Sequence, residues 1–240
     1  MTMSAAGIRP QLYARLCGAL YLYIIAAGLF AEMFARGLVV PGDAEATARN
    51  IVANEWLFRL GFSGEFLHLA CDVAVAVLLY ALLKPVDRYI SLFAAFQRLA
   101  CVVVLAMAGV SQFAVLRLLG HADYLKSFQT EQLHALALLG MRLHADAYAV
   151  SLVFFGFACL AAGYLIYRST YLPRTVGILM AFAGACYLVN SFVRFLAPPV
   201  AASLFPGILI PPFVGELALA LWLLVRGVDV AKWNAYAGAG

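Results

Sequence analysis

Residues 56–83 read Trp56-Leu-Phe-Arg-Leu-Gly-Phe-Ser-Gly-Glu65-Phe-Leu-His68-Leu-Ala-Cys-Asp72-Val-Ala-Val-Ala-Val-Leu-Leu-Tyr80-Ala-Leu-Leu83. The run exceeds the roughly 20 apolar residues that cross the hydrocarbon core of a bilayer. It ends at the short turn Lys84-Pro85-Val86-Asp87-Arg88. A soluble helix of this length would need a polar face, and this stretch has none from Val73 onward. The reading is a membrane-spanning helix with ionisable side chains inside it. Glu65, His68 and Asp72 fall at i, i+3 and i+7, so they share one face. Gly61 and Gly64 nearby are expected to let a neighbouring helix approach closely.

Five more stretches have the same character. The predicted spans are residues 12–34, 56–83, 89–118, 144–167, 171–196 and 205–225. The predicted fold is all-α, a polytopic helix bundle forming one integral membrane domain over residues 1–240. Composition agrees: of 240 residues 65% are hydrophobic and 12% charged, with mean hydropathy +0.94. A soluble domain carries about 25% charged residues, so half the usual polar cover is missing. Disorder needs high charge and low hydrophobicity, and is excluded. Cys17, Cys71, Cys101, Cys159 and Cys186 lie in apolar runs with no CxxC spacing, which reads as buried thiols. The net charge is +4 without any basic run, so no nucleic-acid partner is expected. The first span is too long for a cleaved signal peptide and lacks a small-residue cleavage pattern.

One or two short interfacial helices are expected on the outer side. Asp43 is placed to cap one over the segment from Pro41 to Asn54, with Ile51 and Val52 on an otherwise polar surface. A second begins near Thr130-Glu131-Gln132, and either stands as a short helix or runs on into the fourth span with Gly140 as a bend. Lys and Arg at the span ends set orientation. Arg9, Arg15, Lys84, Arg88, Arg168, Arg174, Arg226 and Lys232 fall on one side. Arg36, Arg49, Arg117 and Lys126 fall on the other, among Asp43, Glu45, Glu55, Asp123 and Glu131. Both termini are therefore expected in the cytoplasm, with the protein in a bacterial cytoplasmic membrane. A faint repeat pairs Arg15-Leu-Cys-Gly18 with Arg174-Thr-Val-Gly177, and Gly64-Glu65-Phe66 with Gly215-Glu216-Leu217.

Longer strings carry a family resemblance: Ala14-Arg-Leu-Cys-Gly-Ala-Leu-Tyr-Leu-Tyr23, Cys71-Asp-Val-Ala-Val-Ala-Val-Leu-Leu-Tyr80, Tyr164-Leu-Ile-Tyr-Arg-Ser-Thr-Tyr-Leu-Pro173, Tyr187-Leu-Val-Asn-Ser-Phe192 and Gly215-Glu-Leu-Ala-Leu-Ala-Leu-Trp222. Over nearly the whole chain these resemble the domain-of-unknown-function 4386 family of bacterial multi-pass membrane proteins. The resemblance implies the six-span bundle and brings no activity or catalytic residue. It implies an Asp at the position of Asn190, where this chain has an amide.

Charge inside the bilayer is costly and marks candidate sites. At about 1.5 Å per residue, Arg98 lies about 15 Å from Arg88, Asp72 about 18 Å from Lys84, and Glu216 about 15 Å from Arg226. The three are expected at one depth, pairing with one another. A second layer lies further out: His68, Asn190, Glu32, Glu65 and Arg194, at about 24–30 Å from the basic end. Arg142, His144 and Asp146 open the fourth span, with Arg142 and Asp146 at i, i+4, and so His144 and Tyr148. The expected picture is a polar interior that opens outward and is floored by Asp72, Arg98 and Glu216. Pro211-Pro212 is expected to break the sixth span just before Glu216.

Four readings fit these residues, the last a haem held by His68 and His144, which would have to face each other at matched depth. In the first, the interior binds or passes a small polar or amphiphilic ligand, such as a lipid head group. Arg142 and Arg194 then hold an anionic group, and Glu65, Asp72 and Glu216 compensate charge. In the second, His68 and His144 with Glu65, Asp72 or Asp146 hold a divalent metal for intramembrane hydrolysis; no HExxH motif supports it. In the third, the buried ion pairs only fix helix packing.

Overall fold

Each predicted span forms a helix long and apolar enough to cross a membrane. The computed structural model describes residues 9–120 and 122–238, apart from the side chains of residues 32 and 34–36, so the Glu32 side chain lies outside the described residues. All regular structure among them is helical: α1 (Pro10–Leu38), α2 (Ala44–Ala53), α3 (Glu55–Leu83), α4 (Arg88–Leu118), α5 (Thr130–Arg168), α6 (Arg174–Leu196), α7 (Pro198–Leu204), α8 (Ile210–Val225) and α9 (Val230–Gly238). Single 3₁₀ turns cover Asp123–Ser127 and Gly207–Leu209.

The six spans α1, α3, α4, α5, α6 and α8 form a closed ring in chain order. Each packs on the next, and α8 packs back on α1. Short connections force neighbours antiparallel, so one end of the ring carries both termini and the other carries the longer loops. Small residues set the closest contacts. A Cβ on Gly163 would stand 2.5 Å from the Ala181 backbone nitrogen, and one on Gly18 2.5 Å from that of Leu224. Without water to drive helices together, such close backbone contact is what membrane helix pairs gain from.

The helix starting at Thr130 runs on into the fourth span, the longer of the two alternatives: α5 reaches Arg168, 39 residues. Gly140 makes a close helix contact, since a Cβ there would meet Val115 Cγ2 at 2.8 Å. Other expectations change. Gly64 faces open space, so it admits no neighbour. Of the four repeat glycines, Gly18 and Gly177 are both helix crossing points, Gly64 is open, and Gly215 abuts the Leu179 carbonyl. Pro211 and Pro212 do not break a helix. They sit in the first turn of α8, where a missing N–H costs nothing.

At the loop end, Asp43 caps α2 as expected, its Oδ1 accepting from the Ala46 nitrogen at 2.8 Å. Ile51 turns into the protein, in a small core with Leu38, Phe58, Val115, Ala137 and Met141, while Val52 stays exposed. At the other end α9, which the apolar pattern did not announce, folds under the ring. Its Trp233 is buried and donates from Nε1 to the Leu82 carbonyl at 3.0 Å.

Candidate functional site

A cluster at the centre of the ring draws a side chain from every span. Arg98 of α4 is 4% exposed. Its Nε donates to Asp72 Oδ1 of α3 at 2.7 Å, and its Nη2 donates to the same oxygen. Its Nη1 donates to the Tyr21 hydroxyl of α1 at 3.2 Å. The guanidinium also lies 4.6 Å from the Tyr21 ring centroid and 4.9 Å from that of Phe155 on α5. Both aromatic faces stabilise a cation that has left water.

Glu216 of α8 is buried beside this group but does not pair with Arg98 as expected. It accepts a hydrogen bond from the Tyr187 hydroxyl of α6, with Tyr21 and Arg98 near enough to act on it electrostatically. Tyr21 thus neighbours both an Asp72–Arg98 half and a Glu216–Tyr187 half. Burying two carboxylates and one guanidinium is tolerable only because each has charge-assisted partners. Beneath Arg98, toward the terminal end, lies a cavity of about 20 Å³ lined by Ala76, Leu79, Ser91, Ala95, Arg98 and Cys159. That is room for a water.

The second layer is looser. Glu65 Oε1 of α3 and His144 Nε2 of α5 are 3.9 Å apart, with side chains 17% and 16% exposed. His144 Nδ1 is buried without a hydrogen-bond partner among the described residues. His68 lies one turn deeper on α3, close enough for Asp72 and Arg98 to act on it electrostatically. Asp146 does not pair with Arg142 at i+4. It accepts from Arg194 Nη2 at 2.8 Å, joining α5 to α6, and both side chains are well exposed. Arg142 is exposed. Asn190 is half-buried on α6, next to a buried Ser191 whose hydroxyl has no partner among the described residues.

The candidate metal ligands do not meet at a point. Glu65 faces His144, whereas Asp146 is held by Arg194. Among the described residues no three His, Cys, Asp or Glu side chains gather to hold a metal ion.

The sequence profile of the family described as Domain of unknown function (DUF4386) matches residues 16–227. The chain belongs to this family. The DUF4386 match begins inside α1, takes in the other five spans whole, includes Tyr21, Asp72, Arg98, Tyr187 and Glu216, and ends before α9. A protein of Archaeoglobus fulgidus, described only as "Uncharacterized protein", is 27% identical over 169 residues, 70% of this chain and 85% of that relative. No solved structure matches the chain. The description of DUF4386 names no activity, so the chemistry of the clusters is the guide to function.

Proposed function

We propose that the protein binds, and passes, a small polar or amphiphilic ligand through a cleft on the loop side of the ring. Glu65, His68 and His144 line it, with Asn190 beside them. Arg142, Arg194 and Asp146 form its rim, and Asp72, Arg98 and Glu216 its floor. The Glu65–His144 gap carries the reading. At 3.9 Å the two atoms are too far apart for a direct hydrogen bond, and a donor lying to one side of them, about 2.8 Å from each, would bridge them. An ammonium or hydroxyl on the ligand would bridge carboxylate and imidazole, while Arg142 attracts an anionic part.

The basic residues at the terminal end support an orientation with both termini in the cytoplasm and the cleft facing out of a bacterial cytoplasmic membrane. The central cluster supports a narrower structural role for its own residues: its hydrogen bonds are made within the protein.

A thermal-shift scan of the purified protein tests the cleft, using small amines, amino acids and short-chain amphiphiles as probes. At least one probe should raise the midpoint of the wild type. The shift should vanish in Glu65→Gln and in His144→Phe, whose ligand-free midpoints stay near wild type. Probes that shift all three proteins equally, or none that shifts the wild type, would count against the cleft.

A further inference from the structure

At the end of the ring that carries both termini, a cleft of about 370 Å³ opens between the α5–α6 connection, the end of α8 and α9. Small-molecule sites commonly span about 300–1,000 Å³. Its walls are tied by bonds between segments far apart in sequence. The Tyr171 hydroxyl donates to the Leu82 carbonyl at 2.8 Å, and burial pushes that phenol up, keeping its proton in place. The Asp229 nitrogen donates to the Tyr171 carbonyl at 3.2 Å. Gln11 of α1 donates to the Arg226 carbonyl at 3.0 Å and accepts from the Val228 nitrogen at 3.1 Å. Gly227 makes the turn between these two contacts at φ +70°, and any Cβ there would run into the Gln11 side chain.

Two cations line this fixed cleft. Lys232 Nζ lies 3.3 Å from Asp229 Oδ2. The Asp229 carboxylate also accepts from the Lys232 nitrogen, and this contact, with the ammonium, holds it below the usual carboxylate range. Arg226 has no carboxylate partner among the described residues, so the cleft keeps an excess positive charge. Arg226 stands immediately after the last turn of α8, at the membrane boundary, and its guanidinium suits a phosphate's paired oxygens. Trp222, one turn deeper, is partly exposed in the same cleft, where an acyl chain would lie.

We propose that this cleft binds the phosphate head group of an anionic phospholipid from the adjoining leaflet, with Arg226 and Lys232 on the phosphate and Trp222 against the first part of the chain. Basic pockets beside span ends recognise head groups in this way. The site lies at the opposite end of the ring from Glu65 and His144 and does not depend on a ligand there.

The test is lipid retention by the full chain in nanodiscs of phosphatidylcholine with a minority of phosphatidylglycerol, counted by native mass spectrometry. The wild type should enrich phosphatidylglycerol. Arg226→Gln with Lys232→Gln should lower the enrichment by about fivefold per cation, equivalent to about 1 kcal/mol each. Asp229→Asn, which removes the competing carboxylate, should raise it, and this variant decides the matter if the double variant does not fold. Equal enrichment in wild type and double variant overturns the proposal. So does unchanged or lowered retention in Asp229→Asn, or displacement of the lipid by inorganic phosphate, which would mark a free-anion site.

Discussion

In the central cluster Arg98 donates three hydrogen bonds and lies against two aromatic rings, and Glu216 is held by the Tyr187 hydroxyl. On the loop side, Glu65 and His144 stand 3.9 Å apart, His144 Nδ1 lacks a partner, and Arg194 and Asp146 meet in the open. Both places combine arginine with carboxylates. Their bonding separates them. Charges that fill one another's valences hold helices in register and leave little for a ligand to take. Charges half-satisfied at a partly open surface keep capacity for one. A functional cluster in a membrane is therefore sought less by counting intramembrane charges than by asking which of them still lack partners.

Removing one partner from the centre gives the largest expected effect. Arg98→Met leaves Asp72 buried without its cation, which should cost about 3–5 kcal/mol. Monodisperse yield and the thermal midpoint in detergent should both fall sharply. Arg98→Met combined with Asp72→Leu removes both charges and should recover most of the loss, because a desolvated pair often contributes little net stability. Failure of that rescue, with a chain that otherwise expresses, would show that the cluster does more than fix packing.

Tyr187→Phe sharpens the comparison within the centre itself. It strips Glu216 of its hydroxyl donor while leaving Tyr21 close by. Leaving a buried acceptor under-satisfied should lower stability by about 1–3 kcal/mol, measured by chemical or thermal unfolding in the same detergent. A change below the lower bound would mean that Tyr21 alone satisfies Glu216, and that the two halves of the cluster are joined more tightly than the Tyr187 bond suggests.

The spans could be read from the sequence because a bilayer imposes a length of apolar helix that little else requires. Depth was legible too: counting from the basic ends placed Asp72, Arg98 and Glu216 on one level, and they do gather. Azimuth was not. A count along a helix fixes height and leaves open which way a side chain turns, so Glu216 was paired with Arg98 when its partner is Tyr187. Tyr21 and Tyr187 escaped notice because tyrosine reads as one more aromatic in an apolar run. The same count could have found Tyr187, which lies about 20 Å from Arg174 and so near the level of the three charges; counted from Arg15, Tyr21 stands at only about 9 Å. Pro211-Pro212 shows the converse error. A local signal for a break misleads when read by itself, because the true start of α8 decides its meaning.

The smallest effect is expected at the rim. The Arg194–Asp146 bond is short, at 2.8 Å, yet the two side chains are 44% and 65% exposed. An ion pair in such contact with solvent is worth about 0.2–1 kcal/mol, since water solvates both charges nearly as well when they part. Arg194→Ala should therefore move the thermal midpoint little, and the difference from wild type should shrink as salt rises, because the Debye length falls to about 3 Å at 1 M. The comparison breaks if Arg194→Ala destabilises the protein as much as Tyr187→Phe does and salt leaves the loss unchanged. The pair would then be shielded from water in the membrane, and the loop-side residues would belong with the saturated centre rather than with an open cleft.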